Sequence, residues 1–137
     1  MALHLRFRLQ SGAHAVPLRS VHGVAGYASL VGEPDDYFLG WLRFHGKLMP
    51  VFDLNRVVCE TPTEATFGSR IIVLECGEGA PAPYIGLLAA GVTDTVAGND
   101  PEVTPLELSG YLDMLYTLIP EPPRESGSGQ PAAGEAA

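Results

Sequence analysis

The chain is poor in positive charge, in cysteine and in long apolar runs, and each shortage removes a class of function. Only 8 Lys and Arg stand against 16 Asp and Glu, a net charge of −8. The segment after Pro120 holds Glu121, Glu125 and Glu135 against Arg124 and so accounts for −2, leaving −6 on the body. A body this acidic repels a phosphate backbone unless its cations cluster. Arg6 and Arg8 are the only close basic pair, so nucleic acid is not an expected partner. The two cysteines, Cys59 and Cys76, form no CxxC pair; they are either reduced thiols or a single disulfide, and neither makes a disulfide framework. No stretch approaches the roughly 18 apolar residues of a membrane span. Met1 to Arg8 alternates instead of carrying the apolar run of a signal peptide. The expectation is a soluble cytoplasmic protein with no direct membrane insertion.

What is present reads as β structure. Leu3, Leu5, Phe7 and Leu9 alternate with His4, Arg6, Arg8 and Gln10, the pattern of a half-buried antiparallel strand. Ser11-Gly12 turns the chain into a second strand, Ala13 to Val16, and Pro17 suits the start of a short helix with Leu18 and Val21. Val24 to Val31 is extended. Tyr37 to Phe44 and Lys47 to Phe52 form a hairpin about His45-Gly46, whose Leu42, Phe44, Leu48, Val51 and Leu54 are expected in the core. Pro50 cannot donate to a ladder, which predicts that its strand lies at an edge or a bulge. Asp53 is placed to N-cap a short helix through Val58. Ile71 to Leu74 is a continuous apolar run, as in a strand buried on both faces, and Tyr84 to Ala90 pairs back. In Tyr111 to Ile119, Leu112, Met114, Tyr116 and Leu118 alternate while Leu112, Leu115 and Ile119 keep helical spacing; a strand is expected. Residues 1–119 therefore make one all-β unit of small barrels. Residues 120–137, rich in Pro, Gly, Ser, Ala and Glu, bury nothing and form a disordered tail.

No catalytic constellation accompanies this framework. No serine sits in a Gly-x-Ser-x-Gly elbow, and Asp35-Asp36 are loop carboxylates that point apart. His4, His14, His22 and His45 lack metal-ligand spacing, although His4 and His14 are able to face each other across the first hairpin. Gly77-Glu78-Gly79 opens no helix and is no phosphate loop. Neither metal nor cofactor is expected, and the chain is not expected to be an enzyme.

The most informative run is Gly40-Trp41-Leu42-Arg43-Phe44-His45-Gly46-Lys47-Leu48-Met49-Pro50-Val51-Phe52-Asp53-Leu54. It resembles the G-x-x-N-x-R-G-x-x-x-P-V-x-D-L pattern of the CheW family of chemotaxis coupling proteins. Phe7 to Val24, with Ala15-Val16-Pro17-Leu18, resembles that family's opening hairpin and short helix. Ser69 to Val73 resembles its central strand, and Tyr84 to Leu88 its "iGLlVD" strand. The four stretches lie in order across residues 3 to 96. The resemblance implies two five-stranded barrel-like subdomains packed together, and a non-catalytic adaptor. The implied partners are a CheA-like histidine kinase and the cytoplasmic tip of a methyl-accepting chemoreceptor. By the same resemblance, the docking residues are Val21, Gly23, Val24, Gly40, Leu42, Arg43, His45, Gly46, Asp53, Leu54, Leu88 and Ala90. A β-barrel interaction module outside chemotaxis is the alternative.

Several positions depart from the family pattern. Gly23 stands where the family has Glu, and Arg43 and His45 stand where it has Asn and Arg. Ala89-Ala90 replaces Val-Asp, Asn55 follows Asp-Leu with Arg56 one place later, and the stretch after Pro101 is short. Joint loss of two charges from one lobe predicts an altered receptor groove. The tail reading predicts that removing Pro122 to Ala137 leaves the thermal unfolding midpoint nearly unchanged; a clear drop would show that the tail packs on the body.

Overall fold

In a computed structural model that describes residues 3–26, 29–63, 69–76, 79–92, 95–97 and 100–123, nine strands make two sheets. In chain order these are β1 (Leu3–Leu9), β2 (Gly12–Pro17), β3 (Val21–Gly26), β4 (Phe38–Phe44), β5 (Lys47–Asp53), β6 (Arg70–Glu75), β7 (Tyr84–Ala89), β8 (Thr95–Ala97) and β9 (Thr104–Pro105). Helix α1 (Leu54–Cys59) follows β5, α2 (Ser109–Leu118) follows β9, and a 3-10 turn spans Leu18–Ser20. One sheet runs β8-β1-β2-β9 and the other β3-β6-β7-β5-β4. The all-β architecture in two packed units is as expected. The first sheet, however, has four strands instead of five, the last only two residues long. Among the described residues, no ladder joins the edges of either sheet. Of the tail expected to be disordered over residues 120–137, residues 120–123 are described and form neither helix nor strand, and the rest lies outside the described residues.

The five-stranded sheet buries both faces. Ile72 and Leu74 on β6, with Ile85, Leu87 and Ala89 on β7, point toward the other sheet and meet Leu5, Phe7, Leu9 and Val16 there. Ile71 and Val73 point the opposite way, joining Leu42, Met49, Val51 and Leu88 inside the curl of the sheet. The expectation for Ile71 to Leu74 therefore holds. Each such side chain taken from water contributes about 1.5–3 kcal/mol. The hairpin residues expected in the core divide between these clusters. Leu42 and Val51 lie inside the curl and Leu54 lies between the sheets, while Leu48 and Phe44 are half-buried at the margins of the two.

Three expectations are corrected. Residues 109–118 form a helix, because Leu115 with Leu112 and Ile119 packs on the inter-sheet core. Alternation would have buried Met114 and Leu118, which are 38% and 42% exposed. Pro50 lies in an interior strand, since β5 runs between β4 and β7, so the edge alternative fails. The β4–β5 register does shift between Phe38 and Gly40, beside the Trp41–Pro50 pair, in keeping with the bulge alternative. Pro50 is tolerated in that strand because its partner Trp41 directs its own N–H and C=O to Val31, at 2.7 and 2.9 Å. Pairing of β5 with β7 begins only at Val51. His4 and His14 do not face each other; they pair with Pro17 and Phe7 respectively. Cys59 and Cys76 are both free thiols.

Two glycines are fixed by close packing. A Cβ on Gly40, whose φ is +142°, would stand 2.8 Å from Leu30 Cβ and 3.1 Å from the Val31 carbonyl. A Cβ on Gly86 would stand 2.7 Å from Ile71 Cγ2 and 3.0 Å from Met49 Cε, inside the curl where branched side chains have little room to yield. Gly86→Ala is accordingly expected to destabilise the fold by about 1–3 kcal/mol through overpacking, read from urea unfolding. A cost below about 0.5 kcal/mol would mean that this interior is loosely packed.

Candidate functional site

The hairpin β4–β5 closes on two residues in left-handed conformation, His45 at φ 52° and Gly46 at φ 78°, flanked by the Phe44–Lys47 pair. Two positive φ values in a two-residue loop match the right-handed twist of the strands, and histidine is among the side chains that tolerate this region. The turn thrusts the exposed His45 beyond the sheet. There it meets the other edge of the same sheet, since the curl carries β3 round to β4 at this end. His22 on β3 lies 6.1 Å from His45 and 5.9 Å from Phe44, ring centre to ring centre, both edge-on. Tyr84 on β7 completes the group at 4.8 Å from His22 and 5.3 Å from Phe44. Glu75 Oε1 stands 3.9 Å from His22 Nδ1. Side chains, not a backbone ladder, bring the two edges together, in perpendicular ring geometries that are favourable for aromatic pairs.

The structure divides the twelve candidate residues. Val24 is 47% exposed, His45 and Gly46 are exposed, and Val21, Gly23, Arg43 and Ala90 are half-buried. At Gly23, opposite Val73, nothing lies within 4 Å of where a Cβ would stand. The carbonyl of Ala90 accepts from the Arg8 N–H at 2.9 Å, which ties the end of β7 to the first sheet. The other five face inward: Gly40 beneath Leu30, Leu42 and Leu88 inside the curl, and Asp53 and Leu54 at the start of α1.

Asp53 and its neighbour Asn55 form a buried polar staple. Asp53 caps α1 as expected, accepting from the Arg56 N–H at 3.3 Å. It also accepts from the Thr63 N–H at 2.9 Å and from the Thr63 hydroxyl. Asn55 accepts from the Gln10 N–H and donates to the Thr61 carbonyl, both at 2.7 Å. That side chain ties the first hairpin to the loop after α1. Its role was hidden in the sequence, where Asn55 reads only as a departure from a family pattern.

The Cys76 thiol and the Tyr116 hydroxyl are both held in their protonated forms. Burial pushes the Cys76 thiol up, partly offset by its hydrogen bond with Tyr116, and a thiolate is what a cysteine nucleophile requires. Burial, with Cys76 alongside, pushes the Tyr116 hydroxyl up to about 12. Ser11 Oγ stands 2.8 Å from His14 Nε2, a contact that the sequence does not announce. His14 Nδ1 is buried without a partner, so no carboxylate orients that imidazole as a triad requires. Among the described residues, no three His, Cys, Asp or Glu side chains are grouped to hold a metal ion, and no helix is long and apolar enough to cross a membrane. A groove of about 680 Å³ opens between the sheets, walled by Arg19, Val21 and His22 on one side and Leu106, Leu108 and Leu112 on the other.

The profile of the CheW-like domain family matches residues 4–113. The chain belongs to the CheW-like domain family. Proteins of this family are non-catalytic scaffolds. Among solved structures it is similar to the scaffolding protein TtCheW from Thermoanaerobacter tengcongensis, with 21% identity and a TM-score of 0.58 over 72% of this chain. The match spans 63% of that protein. At this identity the likeness speaks to the fold. A search of curated proteins by sequence finds no match.

The staple yields a prediction. Asp53→Ala leaves the Arg56 and Thr63 donors without their acceptor and should cost about 2–4 kcal/mol in urea unfolding. Asp53→Asn, which keeps one acceptor oxygen, should cost less than half as much. Equal losses for the two variants would show that charge, not hydrogen bonding, is what the site requires.

Proposed function

We propose that this CheW-like domain is a cytoplasmic adaptor that couples the tip of a methyl-accepting chemoreceptor to a CheA-type histidine kinase. Family membership supports a chemotaxis scaffold, and one observation carries the finer reading. The β3 edge and the His45–Gly46 turn, on which the family resemblance places docking residues, come together at one end of the sheet, where His22 also lines the inter-sheet groove. Val21, Gly23, Val24, Arg43, His45, Gly46 and Ala90 make the contacting surface. Gly40, Leu42, Asp53, Leu54 and Leu88 hold that surface from within.

The receptor side is re-specialised. With Gly23 and His45 in place of Glu and Arg, the surface loses two opposite charges together. Loss of one member of a partly desolvated pair leaves the other costly, which favours losing both. Gly23 is open enough to accept a longer side chain, so the pair can be restored without overpacking.

Binding to the cognate receptor tip and to the regulatory domain of the cognate kinase tests both levels. Capture of both partners by the wild-type chain is expected. Gly23→Glu with His45→Arg should weaken receptor-tip binding about tenfold and leave kinase binding in place, which also reports that the variant is folded. Unchanged receptor affinity for the double and both single variants would put positions 23 and 45 outside the interface. Failure of the wild-type chain to bind either partner would move it to the alternative, an interaction module outside chemotaxis.

A further inference from the structure

Helix α2 turns two large apolar side chains away from the protein. Leu112, Leu115 and Ile119 hold its inner face against the inter-sheet core, while Met114 and Leu118 are among the exposed large hydrophobic residues. Four positions apart, they lie one above the other on the same helical face, flanked by the exposed Asp113 and Thr117. The surrounding chain is acidic: from Asp100 to Pro123 there are Asp100, Glu102, Glu107, Asp113 and Glu121, with no Lys or Arg. Just past the helix, Ile119, Pro120 and Pro122 wall a cleft of about 410 Å³ with Leu48, Pro81 and Pro83.

We infer that the outer face of α2 is a docking surface for a basic amphipathic helix of a partner protein. Such a helix sets apolar residues on Met114 and Leu118 and directs Lys or Arg toward Asp113, Glu107 and Glu121. Chemistry separates this occupant from two others. Residues 124–137 contain no Leu, Ile, Val, Met or aromatic residue and set the single cation Arg124 against Glu125 and Glu135, so the chain's own tail offers no apolar cover and carries a net negative charge. A second copy would set the same acids against each other, each chain carrying −8. A cationic helix satisfies both the apolar pair and its acidic rim, and an unbranched methionine adapts readily to such a partner. This surface is separate from the one proposed above, so its failure would leave the adaptor reading standing.

The test uses the full chain and a fluorescent Leu/Lys amphipathic helical peptide as the probe, with a Leu/Glu peptide of the same spacing for comparison. Anisotropy at physiological salt should show binding of the Leu/Lys peptide alone, and amide shifts in NMR spectra should concentrate on residues 109–121. Met114→Ser with Leu118→Ser, and separately Asp113→Lys, should each weaken binding about tenfold or more. Leu3→Ser, an equally exposed apolar position on β1, should change nothing. No binding of the Leu/Lys peptide, equal losses for Leu3→Ser, or insensitivity to the α2 variants would overturn the inference, the last showing attraction to diffuse negative charge. A tenfold gain on deleting 124–137 would identify the tail as the occupant, and self-association abolished by the Met114 and Leu118 changes would identify a second copy; either result also overturns it.

Discussion

Burial of β6 and β7 on both faces is the constraint on which the rest of this structure depends. A sheet covered on one side can present polar residues to water on the other. This one must supply apolar cover twice, from the four-stranded sheet and α2 on one side, and from its own curl on the other. The curl explains why Gly86 has no room for a side chain and why β3 and β4, at opposite ends of the strand order, approach each other at the His45 turn. The proposed docking surface is thus a by-product of core packing: the edges meet because the interior has to be closed.

The buried polar groups serve the same closure. Asp53 and Asn55 lie where the outermost hairpin hands over to α1, and each satisfies backbone donors or acceptors that an apolar residue would leave unpaired. Unpaired buried groups cost more than paired ones return. The Asp-Leu step is therefore held by architecture, whereas Gly23 and His45, on the surface proposed to meet partners, carry no such internal role and depart from the family pattern.

Sequence patterns revealed the local elements well. The β4–β5 hairpin, the Asp53 cap and the doubly buried run at Ile71 each follow from spacing and turn chemistry within a few residues. The errors arose where a distant partner decides. The segment 111–119 carries both periodicities, and the position of the inter-sheet core selects the helical one. Pro50 appears forbidden inside a sheet until Val31 is seen to take up the hydrogen-bonding groups of Trp41. His22 carried no signal, since its meeting with His45 depends on strand order, which no local pattern encodes.

The strand order also governs how the chain can assemble. β4 with β5, and β6 with β7, are antiparallel neighbours in sequence, but they join through a parallel β5–β7 contact, while Val24 waits for Ile72 and Leu3 for Ala97. Two local hairpins can form early, because short loops close at little entropic cost, whereas the contacts that unite them require long closures before they return any stability. This topology predicts that docking of the hairpins, not their formation, limits the folding rate. Until β3 arrives, the β6 edge is open to any extended chain nearby, so the interval between those two events is when this otherwise well-covered protein is most exposed to misassembly.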